Sequence, residues 1–340
     1  MLLDKNAIEK IVSKIDEEKP LSGVISVIQQ NHTVFNQAYG FANRSEKINN
    51  NIHTKFGMAS GCKGFTAVAI AQLVEKGLLR FNSLLKEYVD IPNLDEAITI
   101  EHLLTHSSGV PDYFDEEVMK DYSELWLEKP MYTMKKPSDF MYFIKNRPMD
   151  FKPGSSFKYN NTGFIILGIV IEKITGISFT EYVQKNILEP CGMDSTGYFY
   201  MNRLPENTAY GYLEDEQGGW EANIYSIPIV GGPDGGAFTT VMDMTKFWKA
   251  LIGNKLLSQE ITKTMLTPQI HVEEEVFYGY GIWINKREDK ILKYHLMGGD
   301  PGVSFRSSYY PELALEITVL SNKEYGGYVV TKAIEKYLGI

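Results

Sequence analysis

The chain has 340 residues, with 44% hydrophobic and 23% charged residues, the balance of an ordinary globular protein with a sizeable core. Its net charge of −9 and pI near 5.3, with no run of Lys and Arg, exclude a phosphate-tracking surface and disfavour anionic membranes. Cys62 and Cys191, the two cysteines, lie far apart and define no disulfide framework, so both are expected as reduced, buried thiols.

The first predicted element is an amphipathic helix in which Ile8, Ile11, Val12 and Ile15 recur at helical spacing. It lacks the apolar stretch and cleavage site of a signal peptide. No stretch elsewhere is long and apolar enough to span a bilayer. Taken as it stands, the chain is expected in the cytoplasm, and outside it only if a leader has been removed. GVISVIQ from Gly23 and TVFNQAYG from Thr33 alternate as strands around a QNH turn. A helix apolar on nearly every side runs from Ser60 to Glu75 and stops at Gly77. A second such helix runs from Thr162 to Thr175 and ends at Gly176. Ser178 with Glu181, and Thr240 with Asp243, have the spacing of capping boxes. Strands return late: GYGIWIN from Gly279 and ILKYHLMG from Ile291 flank the charged KREDK, and VSFRSSYY from Val303 and LEITVLSN from Leu315 flank Pro311 and Glu312. Such short turns require antiparallel pairing. A helix from Tyr328 to Leu338 closes the chain.

The expected fold is therefore α+β. Residues 1–59 and 256–340 form an antiparallel sheet flanked by helices, and residues 60–255 an inserted, mostly helical domain. The cleft between the two is the expected place for a small-molecule site.

Ser-x-x-Lys spacing lets a lysine one helical turn on reach a serine hydroxyl. It occurs at Ser60/Lys63, Ser83/Lys86 and Ser155/Lys158. Only Ser60 opens a long buried helix, where the dipole favours an oxyanion and Lys63 sits in a low dielectric. The bland alternative is an N-cap serine with a snorkelling lysine. Tyr159-Asn160-Asn161 precedes the second buried helix; its asparagines read as caps, while a tyrosine fixed at a turn can lend its phenol as acid or base. Tyr-x-Asn recurs at Tyr200-Met201-Asn202. In YHLMGGDPGV from Tyr294, Gly298 and Gly299 would let a ligand approach the strand, and a free backbone N–H there could complete an oxyanion hole with that of Ser60; the alternative is a plain glycine-rich turn. His102 and His106 have the spacing of helical zinc ligands, but Leu103 stands where H-E-x-x-H has its glutamate, so packing or capping is the better reading and a metallohydrolase a remote one. GMASGCKGFT lacks the Gly-Lys of a phosphate loop, and no G-x-S-x-G elbow is present. The aromatic stretch from Tyr113 through Trp126 to Phe143 suits a cleft wall or helical core equally.

The order Ser-x-x-Lys, Tyr-x-Asn, then a glycine-rich late strand resembles the serine β-lactamase and penicillin-binding protein superfamily, in its branch of class C β-lactamases, D-amino peptidases and esterases. FGMASGCKGFTAVAIAQLVEKG, ITIEHLLTHSSGVPDY, FKPGSSFKYNNTGFIILGIVIEKITG and GGAFTTVMDMTKFWKAL each resemble a family block, in family order. The resemblance implies a β-lactamase/transpeptidase-like fold and an acyl-transfer hydrolase without metal or organic cofactor. It implies Ser60 as nucleophile, Lys63 as the cation that helps deprotonate it, Tyr159 as proton relay and Asn161 as orienter of the substrate amide. The N–H groups of Ser60 and Gly299 would form the oxyanion hole. The expected partner is a small ester, amide or D-amino-acid peptide, with no nucleic acid. One departure stands out. Where the family carries Lys-Thr-Gly or His-x-Gly, this chain has Leu296 and Met297, and His295 lies one position early, facing away from the substrate unless a bulge turns it round. That departure favours the rival reading, a catalytically weak binding or sensor protein on the same fold.

Overall fold

The computed structural model describes residues 3–115, 117–119 and 122–340. Helix α1 (Lys5–Glu18) leads into strands β1 (Gly23–Gln29) and β2 (His32–Tyr39). The turn between them is tighter than QNH: Gln30 and Asn31 both take positive φ, and His32 already pairs with Gln29. The remaining strands of the main sheet follow late in the chain, β3 (Ile270–Glu273), β4 (Val276–Tyr278), β5 (Trp283–Arg287), β6 (Lys290–Asp300), β7 (Val303–Tyr310) and β8 (Leu315–Ser321). The eight form one sheet in the order β2-β1-β8-β7-β6-β5-β4-β3, antiparallel throughout.

β3 and β4 were not read from the sequence, because HVEEEVFY is short and charged. The turn between β5 and β6 is only Glu288 and Asp289; the flanking Lys286, Arg287 and Lys290 are paired strand residues. β1 does not alternate, since all seven of its residues are buried. Ile25 and Val27 pack under α1 and the closing helix α5 (Gly327–Leu338), while Val24 joins the larger core on the other face. A strand covered on both faces has no solvent side to alternate with.

That larger core holds α2 (Lys63–Glu75), α3 (Asn161–Thr175) and α4 (Val241–Ile252). Each start and stop has a local cause. α3 is capped by the Asn160 side chain, which accepts from Gly163 N at 2.6 Å, and ends at Gly176 in the left-handed region. α4 is capped by Thr240, whose Oγ1 accepts from Asp243 N at 3.2 Å. Ser60 precedes the α-helix proper and sits in a 3₁₀ turn, Ala59–Cys62. Its neighbour Ala59 takes φ +43°, a conformation of order 1 kcal/mol less favourable for a non-glycine residue. The segment at 236–237 holds it there: Gly236 N donates to Ala59 O at 3.2 Å and Met58 N to Ala237 O at 2.8 Å.

Candidate active site

Ser60, Tyr159, Asn161, Gly298 and Gly299 line one cleft of about 1060 Å³. Lys63 lies at its base, 2% exposed, and its ammonium has three acceptors. Nζ donates to Ser60 Oγ at 2.8 Å, to Asn161 Oδ1 at 2.8 Å and to the Asp234 carbonyl at 2.6 Å. A buried ammonium needs such a set of oxygens to remain charged. The Tyr159 ring centroid lies 4.9 Å from Nζ, so the phenol and the hydroxyl flank one cation. Tyr159 is fixed between the Trp283 ring, stacked at 6.2 Å, and the His106 ring at 4.4 Å.

Of the three further groups that organise this site, Asp112 and Asp234 were missed in the sequence, and His106 was read there only as packing or capping. Asp112, 1% exposed, binds the start of α3: Oδ2 accepts from Asn161 N at 2.9 Å and Nδ2 at 3.2 Å, and Oδ1 from Thr162 N at 3.0 Å and Oγ1 at 3.1 Å. Asn161 is thus clamped between Asp112 and Lys63. His106, with φ +56°, accepts at Nδ1 from Asn160 N at 3.0 Å, and burial holds its imidazole neutral, well below the ordinary range. Asp234 offers its carbonyl to Lys63 and its carboxylate to the Tyr113 hydroxyl. Burial pushes that carboxyl upward against the opposing pull of Lys63.

Burial also pushes the Asp112 carboxyl up to about 6, although the donors from Asn161 and Thr162 and the Lys63 charge pull it down. A carboxyl whose folded pKa lies above its unfolded value costs stability on ionising, and that cost is complete above about pH 6. The ionised form is the one that accepts from all its donors, so protonation below about pH 6 should loosen Asn161 and Lys63. Any activity of this cleft that depends on Asn161 and Lys63 is therefore expected to fall on its acid side near pH 6. Asp112→Asn should lower the plateau on the order of 10-fold and remove that limb, as one or two charged hydrogen bonds predict. A wild-type profile in Asp112→Asn would deny the coupling.

The glycine pair has two different roles. A Cβ on Gly298 would lie 2.7 Å from Ser60 N and would also collide with the Met58 carbonyl, so only glycine lets β6 approach the serine turn. A Cβ on Gly299 would find only the Val303 carbonyl, at 4.0 Å. Leu296 faces the same way as Gly298 and packs where a Cβ on Gly64 would be, 2.9 Å from its Cδ2. An aliphatic side chain therefore occupies the strand position facing the Ser60 helix.

His295 is not part of the cleft lining. From Tyr294 to Asp300 the pairing of β6 with β7 runs without a register shift, so no bulge rotates it inward. It is 5% exposed on the α5 side of the sheet, and burial, with the charges of Lys293, Arg306 and Lys332, keeps it neutral. His102 does not ligate a metal with His106: its Nδ1 accepts from Thr99 N at 3.2 Å in a helix cap, and no metal-binding cluster occurs among the described residues. The aromatic stretch divides its work, with Tyr113, Phe114, Tyr122 and Phe140 on the cleft and Trp126 and Phe143 packed behind. Both cysteines are free and buried, and burial raises the Cys62 thiol to about 12.

An antiparallel sheet with helices on both faces, and a Ser-x-x-Lys turn set against its glycine-rich strand, define the β-lactamase/transpeptidase-like class of fold. The chain belongs to the Beta-lactamase family, whose model matches residues 8–337. It is 26% identical over 334 residues to Penicillin-binding protein 4* of Bacillus subtilis, covering 93% of this chain and 71% of that protein. The shares spanned of two other curated relatives are smaller, 64% and 43%. The crystal structure of a penicillin binding protein from Bacillus halodurans superposes with a TM-score of 0.92 at 46% identity, over 96% of this chain and 99% of that one. A D-stereospecific amidohydrolase from Streptomyces shares the fold, with a TM-score of 0.82 at 22% identity over 99% and 100%. No single helix among the described residues is long and apolar enough to cross a membrane.

Proposed function

We propose that this protein is a serine hydrolase that forms an acyl-enzyme at Ser60 on a small ester, amide or D-amino-acid peptide. The observation that carries this reading is the 2.8 Å hydrogen bond from Lys63 Nζ to Ser60 Oγ at the base of the cleft, with Tyr159 flanking the same ammonium. In the proposed reaction Ser60 Oγ bonds to the substrate carbonyl carbon while Tyr159 gives its phenolic proton to the leaving nitrogen or oxygen, whose bond to carbon breaks; Lys63 hands a proton on to Tyr159 and takes the serine proton in its place, so that the ammonium and the phenol are both restored. Water then adds to the ester carbonyl, its proton returns to Ser60, and the acid departs. The backbone N–H groups of Ser60 and Gly299 are assigned to the carbonyl oxygen. Asn161 is assigned first to holding Lys63, since its oxygen and its amide are already engaged there, and through Lys63 to the substrate amide. We place this cleft between the sheet portion, 1–59 with 256–340, and the helical portion, 60–255.

The similarity to proteins described as penicillin binding and as a D-stereospecific amidohydrolase supports an acyl-transfer site and leaves the substrate to experiment. A panel of p-nitrophenyl acetate, D- and L-phenylalanine amides and a fluorescent penicillin, read by intact mass and by product release, tests the proposal. A transient acyl adduct and turnover with at least one ester or amide are expected. Binding without adduct or turnover across the panel would favour the ligand-binding reading, for which the aliphatic Leu296 speaks.

A further inference from the structure

Trp283, on β5, lines the cleft beside Tyr159, and the two ring planes lie within 16° of parallel with their centroids 6.2 Å apart. The aromatic residues that the helical portion brings to the cleft pack elsewhere, Phe114 on Tyr122 at 4.4 Å and Tyr113 on Phe140 at 4.8 Å. Trp283 is itself fixed by three further rings. Tyr278 meets it at 4.8 Å and 81°, Phe157 at 6.2 Å and 69°, and His295, its partner in the β5–β6 register, lies nearly parallel at 6.3 Å. A tryptophan kept only for packing would be fully covered, as Trp248 is at 0% exposed. Trp283 is half-buried, so part of an immobilised indole is presented to whatever the cleft holds. A ring already fixed loses little freedom when a second ring packs on it, and such pairs add to what burial of area alone gives.

The place of Trp283 in the reaction follows from Tyr159. The phenol gives its proton to the leaving atom, so the leaving group lies on the Tyr159 side of Ser60. Lys63 fixes that order, with Nζ 2.8 Å from Ser60 Oγ and 4.9 Å from the centre of the Tyr159 ring. A ring attached close to the leaving atom therefore meets the Trp283 wall. That wall offers surface and not charge, so it selects by shape: a flat π-system suits it better than a puckered saturated ring.

We infer that Trp283 is a specificity-determining residue that packs against the leaving group, and that the preferred substrates are esters or amides whose leaving alcohol or amine carries an aromatic ring next to the scissile bond. This rests on the hydrolase reading of the same cleft. The test compares benzyl acetate with cyclohexylmethyl acetate, which share the acyl group and differ in whether the leaving ring is flat. Apolar area alone would favour the saturated ring. KM and kcat are measured for both esters with Ser60 intact, and the affinities of the two matching acetamides for Ser60→Ala calorimetrically. The aromatic member is expected to be preferred about 2- to 10-fold, in KM and in affinity, the range for an aromatic pair. Trp283→Leu should abolish that preference, and Trp283→Phe should retain part of it. Any fall in kcat from loosening Tyr159 is common to both esters and leaves their ratio unchanged. With the rings moved to the acyl side, in methyl phenylacetate and methyl cyclohexylacetate, no preference that depends on Trp283 is expected. Equal values for the benzyl and cyclohexylmethyl compounds, a preference that survives Trp283→Leu, one that follows the acyl ring instead, or neither binding nor turnover of any of them overturns the inference. A Trp283-dependent difference between the acetamides without hydrolysis of either ester upholds the aromatic contact and removes the hydrolase reading for this class.

Discussion

Ser60→Ala is expected to lose acyl-adduct formation entirely and to lower turnover by about 10⁴-fold or more, the loss typical of removing a nucleophile. The fold should survive. Ser60 gives up one hydrogen bond, to Lys63, worth about 1 kcal/mol net, and its backbone stays tied to the 3₁₀ turn. Intact mass after exposure to an ester or amide that labels the wild type reads the first result, and a thermal melt the second. An adduct of the same mass in Ser60→Ala would move the nucleophile elsewhere. Loss of both labelling and folding would not count for the assignment, which is why the melt is measured beside it.

A larger structural price accompanies Lys63→Met. Here the expected fall in the acylation rate is on the order of 10³-fold, within the range for removing a proton-transfer group. The Asn161 side-chain oxygen and the Asp234 carbonyl, both bonded to Nζ, would be left buried without their donor. Each such orphan costs about 1–3 kcal/mol, offset in part by removing a buried charge. The variant should therefore melt several degrees lower, as about 2–4 °C per kcal/mol implies for larger domains. Burst kinetics with a p-nitrophenyl ester separate acylation from later steps. A folded Lys63→Met protein that acylates at the wild-type rate would remove Lys63 from the mechanism.

Much of the scaffold was legible because apolar spacing is a collective signal. The buried helix that begins at Lys63 and the one that ends at Gly176 were both read closely, since many side chains repeat the same message and a glycine marks the stop. Ser60 and Lys63 were legible for the same reason: the helix behind them singled out one of three equal spacings. Asp112 and Asp234 were not, and His106 was legible only as packing or capping. They are single polar residues in irregular segments, and their importance lies in partners 49 to 171 positions away, which no local pattern encodes. Asp112 had one available signal, its place in the block ITIEHLLTHSSGVPDY, and Asp234 its place between glycine pairs. The position of His295 depended on whether β6 carried a bulge, a property of the pairing with β7 and not of β6 alone.

The pairing of β1 with β8, Gly23 opposite Ser321, brings together residues almost 300 positions apart. Closing a chain over that distance carries an entropy cost of about 5 kcal/mol beyond the constant for any loop. During synthesis the first hairpin must wait, one edge unpaired, until residues 315–321 have emerged. The glycine strand that abuts Ser60 precedes residues 315–321 by only a few tens of positions, so the candidate site is assembled together with the sheet. Formation of the cleft beside Ser60 and closure of the sheet are, by this topology, one and the same step.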